Sequence, residues 1–154
     1  GRREKRGEFF RNSREELPPK ALVEESLDQV GLWVEIRDKL SRNALELSPG
    51  QQQRLCIARA LAAGAELLLL DEPGRDLDPI SAGKLEDALI SLSERMAILM
   101  ASANSRQAAR VSQEIAVLID GKLVETGLTR TVYSNPADPR TELFIAGRGR
   151  GDYP

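Results

Sequence analysis

The sequence predicts an α/β fold: a mostly parallel sheet with flanking helices, preceded by a helical subdomain. Three observations predict it. Leu67, Leu68, Leu69 and Leu70 form a short, wholly apolar run, and Ala97, Ile98, Leu99 and Met100 form another. Such runs suit strands buried on both faces, as in a parallel sheet. Between them Leu85, Ala88, Leu89 and Leu92 recur at helical spacing. A third apolar run, Ile115, Ala116, Val117, Leu118 and Ile119, follows another helical stretch over residues 105–111. Alternating strands and helices imply right-handed crossovers in an α/β sheet.

Each remaining element has its own local cause. Pro18-Pro19 breaks the chain. Ala21, Leu22, Val23, Leu27 and Val30 then repeat with helical period, and Gly31 stops the helix. Trp33, Val34, Ile36 and Leu40 predict a second short helix. Ser48-Pro49-Gly50-Gln51 has the capping-box pattern: a Ser N-cap, Pro at the first helical position and Gln three residues on. The small-residue-rich helix behind it can pack closely, and Gly64 closes it. Asp78-Pro79 opens the helix that carries Leu85. Asp120-Gly121 is a hairpin signal, so Lys122-Leu123-Val124-Glu125 returns antiparallel. Two short helices flank Asn135-Pro136.

Composition removes several function classes. The 154 residues hold one cysteine and no histidine. Histidine triads, histidine or thiolate zinc sites and a disulfide framework are therefore excluded within this sequence. No apolar run approaches the ~18 residues of a membrane span. The net charge is −2 and aromatics make up 4%, a poor profile for a specific nucleic-acid binder. A reducing, cytoplasmic setting fits the cysteine count. Residues 1–18 form a basic arm with Arg2, Arg3, Lys5, Arg6, Arg11 and Arg14. Such an arm can touch phosphates or an anionic membrane, and a loose solvated end carries the same residues. Residues 148–154 are a glycine-rich tail expected to be flexible.

Two spots carry chemistry. The first leucine run delivers Asp71 and Glu72 to the carboxyl edge of the sheet, where open α/β folds bind ligands. One carboxylate can hold hydrated Mg²⁺, and the next can orient or deprotonate a water. A solvent-facing acid pair would look the same. The second spot is the capped helix start. Its free N–H groups and dipole attract anions, with the Ser48 hydroxyl as a further donor. A plain helix cap would also explain it.

Taken together, residues 47–62 strongly resemble the signature motif and helix of ATP-binding-cassette (ABC) ATPases, members of the P-loop NTPase fold. Residues 67–72 resemble the Walker B strand of that family, and Leu77-Asp78-Pro79 resembles its D-loop. The resemblance covers about residues 20–148. It is strongest to the ATPase subunits of bacterial phosphate importers, through Gln51-Gln52-Gln53-Arg54-Leu55-Cys56, Asp78-Pro79-Ile80-Ser81, Gln107-Ala108-Ala109-Arg110-Val111-Ser112 and Ser134-Asn135-Pro136.

The resemblance implies ATP and Mg²⁺ as cofactors. Asp71 would bind the metal and Glu72 would be the catalytic base. Ser48, Gly50 and Gln51, at the signature helix start, would contact nucleotide held by an opposing subunit. Asp78 would sit at the dimer interface. The implied partners are a second copy or a full-length ABC ATPase, with the membrane permease subunits of a phosphate importer. The place would be the cytoplasm, peripheral on the inner face of the membrane. Residues 19–64 would be the helical subdomain and signature helix, and residues 65–147 the Walker B side of the core.

Four features depart from the pattern. No G-x-x-x-x-G-K-[ST] phosphate loop occurs in the 154 residues. The chain therefore resembles the C-terminal part of the domain, expected to be more than half of it. Ala103 stands where the family has its switch histidine. Pro49 replaces a signature glycine and has no N–H to offer. Gly74-Arg75-Asp76 replaces small polar residues. The expectation is a chain that does not hydrolyse ATP alone. The alternative is a non-catalytic dimerisation module that donates its signature motif in trans.

Overall fold

The computed structural model describes residues 18–147. The basic arm and the glycine-rich tail lie outside the described residues. The chain divides into two compact units between Ala101 and Ser102.

In the first unit, α1 spans Pro19–Asp28 and α2 spans Trp33–Ile36. Single 3-10 turns follow at Arg37–Lys39 and Ala44–Glu46. Helix α3 runs Pro49–Ala62, strand β1 Leu67–Asp71, helix α4 Pro79–Ser93 and strand β2 Ala97–Ala101. Gly31 and Gly64 stand just past helix ends with φ of 61° and 81°. That left-handed backbone is what glycine accepts without strain.

One core joins these elements. Leu27, Val30 and Leu32 meet Ile57 and Leu61 of α3, Leu68 of β1, and Leu85, Leu89 and Leu92 of α4. Helical period places Leu85, Leu89 and Leu92 on one face of α4, as the sequence predicts. Burying each such leucine stabilises the unit by about 1.5–3 kcal/mol.

Strands β1 and β2 pair in parallel, with Leu67 opposite Ala97 and Asp71 opposite Ala101. The predicted burial on both faces is not what the strands show. Leu68 is buried, but Leu67, Leu69 and Leu99 are 50%, 69% and 67% exposed. Side chains alternate along a strand, and the helices of this unit cover only one face of the pair. The opposite face stays open among the described residues.

In the second unit, α5 spans Ser105–Val111. Strands β3 (Glu114–Ile119) and β4 (Lys122–Leu128) form an antiparallel hairpin. Asp120 and Gly121 turn it with φ of 50° and 74°, the left-handed pair such a two-residue turn needs. Helices α6 (Thr129–Ser134) and α7 (Pro139–Ile145) complete it. Val117, Ile119 and Val132 form its small core. The expected third strand of the parallel sheet is therefore corrected. Among the described residues β3 pairs with β4 and not with β1 or β2, the local pairing that the two-residue Asp120-Gly121 turn closes.

Candidate functional site

The start of α3 is built as its sequence demands. Ser48 Oγ accepts from the Gln51 N–H at 3.3 Å, and Gln51 Oε1 accepts from the Ser48 N–H at 3.0 Å. The reciprocal bonds make a capping box, with Pro49 at the first helical position. The Gln52 N–H bonds the Ser48 carbonyl. Ser48 and Pro49 are exposed, while Gly50 is buried.

Burial of Gly50 has a packing cause. A Cβ there would lie 2.5 Å from the Ser81 Cβ and 2.8 Å from its Oγ. The first turns of α3 and α4 touch at that point, and only a glycine lets them. Ser81 in turn belongs to the cap of α4. Asp78 Oδ1 accepts from the N–H groups of Ile80 and Ser81, each at 3.0 Å. The Ser81 hydroxyl and these N–H groups hold the Asp78 carboxyl below the usual carboxylate range.

Asp71 ends β1 and is exposed. Glu72 follows with φ of 45°. Its N–H donates to the Ala101 carbonyl at 2.9 Å, which carries the pairing of β1 and β2 one step further. The left-handed turn at Glu72 sends the chain into the tight segment 72–77. There Arg75 sets its guanidinium 3.5 Å from Glu72 Oε1. Two of the four departures from the sequence pattern therefore act locally: Arg75 pairs with the candidate base, and Pro49 begins the helix.

In the second unit, Ala103 lies between two residues whose polar groups are engaged. Asn104 Oδ1 accepts from the Arg106 and Gln107 N–H groups, capping α5. Ser102 Oγ donates to Gln107 Oε1 at 3.0 Å and accepts from the Asn104 N–H. Both polar side chains thus serve the start of α5, and the Ala103 side chain between them is a methyl group.

Sequence reasoning missed a carboxylate with three side-chain partners in the first unit. Glu35, on α2, accepts from Lys84 Nζ at 2.7 Å, Gln51 Nε2 at 2.9 Å and Arg54 Nη2 at 3.0 Å. Partial burial alone would raise its pKa. The hydrogen bonds from Lys84, Gln51 and Arg54 outweigh that and hold it down at about 2. Arg54 is 2% exposed and also donates to the Gly31 carbonyl at 2.7 Å. A signal was present. Arg54, Ile57, Ala58 and Leu61 share one helical face, and an arginine on a core face requires a carboxylate.

Comparison with known proteins decides the family. The ABC transporter family matches residues 3–75, beginning inside the basic segment and ending just past Glu72. The phosphate import ATP-binding protein PstB 2 of Bacillus licheniformis is 47% identical over 127 residues, 82% of this chain. The chain belongs to the ABC transporter ATPase family. It spans 46% of that relative, less than the share the sequence suggested. Solved ABC structures share the fold. A metal-chelate type ABC transporter in an inward-facing conformation superposes with a TM-score of 0.66 at 24% identity, covering 82% of this chain and 48% of that one. The ADP conformation of MJ1267, an ATP-binding cassette of an ABC transporter, gives 0.66 at 20% identity, covering 81% and 48%.

The family uses ATP and Mg²⁺, and the donor set can be tested against them. Among the described residues no group of three or more Asp, Glu, His or Cys side chains gathers as a metal cage. Mg²⁺ needs less: one or two carboxylates, with waters and phosphate oxygens filling the rest. An exposed Asp71 at a strand end fits Mg²⁺ carried on a nucleotide. No helix among the described residues is long and apolar enough to cross a membrane.

Proposed function

We propose that this chain forms the signature side of a composite ATP site in an ABC ATPase of the phosphate-import type. One observation carries it. The family match contains both Ser48–Gln51 and Asp71-Glu72, and a phosphate import ATP-binding protein is 47% identical. The geometry supports it. Pro49 has no N–H, and Gln51 and Gln52 are bonded to Ser48. The exposed Ser48 hydroxyl still has its proton to give an outside acceptor at the positive end of a 14-residue helix, with the Gly50 backbone beside it.

Each residue then has a role. Ser48 and Gly50 donate to phosphate oxygens of ATP held by an opposing subunit, and Gln51 keeps that turn closed. Asp71 would hold Mg²⁺ carried on a nucleotide, and the ion would supply neutralisation of phosphate charge. Glu72 would orient a water and accept its proton only where a phosphate loop completes that side of the site. Asp78 lies at the interface between subunits. The opposing subunit is a second copy or a full-length ABC ATPase, and permease subunits of a phosphate importer take up the motion. The setting is the cytoplasmic face of the membrane.

Hydrolysis by the 154 residues alone is not part of the proposal. They contain no phosphate loop, which elsewhere cradles the β- and γ-phosphates. Ala103 adds a second deficit. A non-catalytic module that pairs in trans is the form the proposal takes for this chain by itself.

The test is ATP-dependent co-elution of the chain with the full-length Bacillus licheniformis relative. Pairing that needs ATP and is lost in Ser48→Arg is the expected result. Pairing unchanged by Ser48→Arg, or none with ATP, overturns it. Phosphate release by the chain alone is expected to equal that of its Glu72→Gln variant.

A further inference from the structure

We propose that Glu35 is a positioning residue that ties the first turn of α3 to the second turn of α4. It rests on the reading that Ser48, Gly50 and Asp78 face a nucleotide, and it names the side chain that keeps them in register.

The two carboxylate oxygens of Glu35 divide their work. Oε2 accepts from Gln51 Nε2 at 2.9 Å, and Gln51 is the residue that closes the capping box on Ser48. Oε1 accepts from Lys84 Nζ at 2.7 Å, and Lys84 lies on the helix that Asp78 caps. Arg54 Nη2 reaches both oxygens, at 3.0 and 3.1 Å. The buried Arg54 therefore fixes the carboxylate, and the carboxylate fixes the other two. The backbone contact of Gly50 with Ser81 lies between the same two helix starts. One contact sets their distance; the Glu35 bridge opposes sliding and rotation about it.

The bridge also has a lever. Glu35 belongs to α2, and Arg54 bonds the Gly31 carbonyl just before that helix. A displacement of α2 must carry Gln51 and Lys84 together or break charge-assisted bonds, which are the stronger kind. Lys84 is about half exposed and lies outside the core, so its removal leaves the Glu35–Arg54 pair and the fold in place.

The experiment compares the full 154-residue chain with Glu35→Gln, Lys84→Met and Lys84→Arg. Amide exchange at Gln51 and Gln52 is read by NMR, and the ATP concentration for half-maximal pairing with the full-length relative is read by co-elution. Glu35→Gln is expected to speed exchange at both amides by about tenfold. Lys84→Met is expected to speed it by about threefold, although residue 84 is on another helix. Both are expected to raise the ATP concentration needed, and Lys84→Arg to restore wild-type values. Exchange at Gln51 and Gln52 that ignores Lys84→Met overturns the tie. If the wild-type chain shows no ATP-dependent pairing, the proposed function falls, while the exchange measurement still decides the role of Glu35. If Glu35→Gln fails to fold, Lys84→Met alone decides it.

Discussion

Gly50 has no room for a methyl group. The Ser81 Cβ would stand 2.5 Å from it, well inside contact distance. Gly50→Ala is expected to destabilise the chain by about 1–3 kcal/mol, the usual cost of forced overpacking. Urea unfolding measures it, and Ser81→Gly in the same chain is expected to recover most of the loss. Glu35 gives a pH signature at the same scale. Its folded pKa is depressed from 4.5 to about 2. The stability it contributes is therefore fully present above 4.5 and is lost as pH falls toward 2. Stability against pH is expected to fall less steeply through this window in Glu35→Gln than in the wild type. Equal slopes would mean that the Lys84, Gln51 and Arg54 bonds do not hold in solution.

At the scale of elements, local chemistry was legible and distant chemistry was not. The capping box of α3 and the Asp78 cap of α4 could be read because both partners of each bond lie within three residues. Glu35 could not, because its partners are 16, 19 and 49 residues away. The hairpin was legible for the local reason again, since Asp120-Gly121 supplies the left-handed backbone itself. Space around Gly121 is open, so Gly121→Ala tests the backbone alone. It is expected to cost about 1–2 kcal/mol, the penalty of a side chain in left-handed backbone. Thermal unfolding followed at β3 and β4 is the measurement. Leu85 on α4 is wholly buried. Leu85→Ala is expected to cost about 2–5 kcal/mol, depending on how far the core collapses into the space.

At the scale of the whole molecule, the open face of β1 and β2 decides behaviour. Sequence period marked both runs as strands, but an unbroken apolar run cannot say which face the chain itself will cover. Leu67, Leu69 and Leu99 present a contiguous apolar strip, and a parallel pair normally has both faces covered. The chain is therefore expected to self-associate at high concentration. Leu69→Lys is expected to lower that association in sedimentation experiments while leaving the unfolding midpoint within about 1 kcal/mol of wild type, as for an exposed side chain. Undiminished association would place the sticky surface elsewhere. The family assignment was legible because its motifs are contiguous. The division after Ala101 was not, because it depends on which segments share a core.

The backbone at Glu72 works against its residue type. A left-handed conformation suits glycine, and asparagine or aspartate tolerates it; for glutamate it costs about 1–2 kcal/mol. Single-base changes can turn a glutamate codon into one for glycine or aspartate, so relief is always one step away. Glutamate at this position is thus held against the preference of its own backbone, and folding alone supplies no reason for that choice of residue.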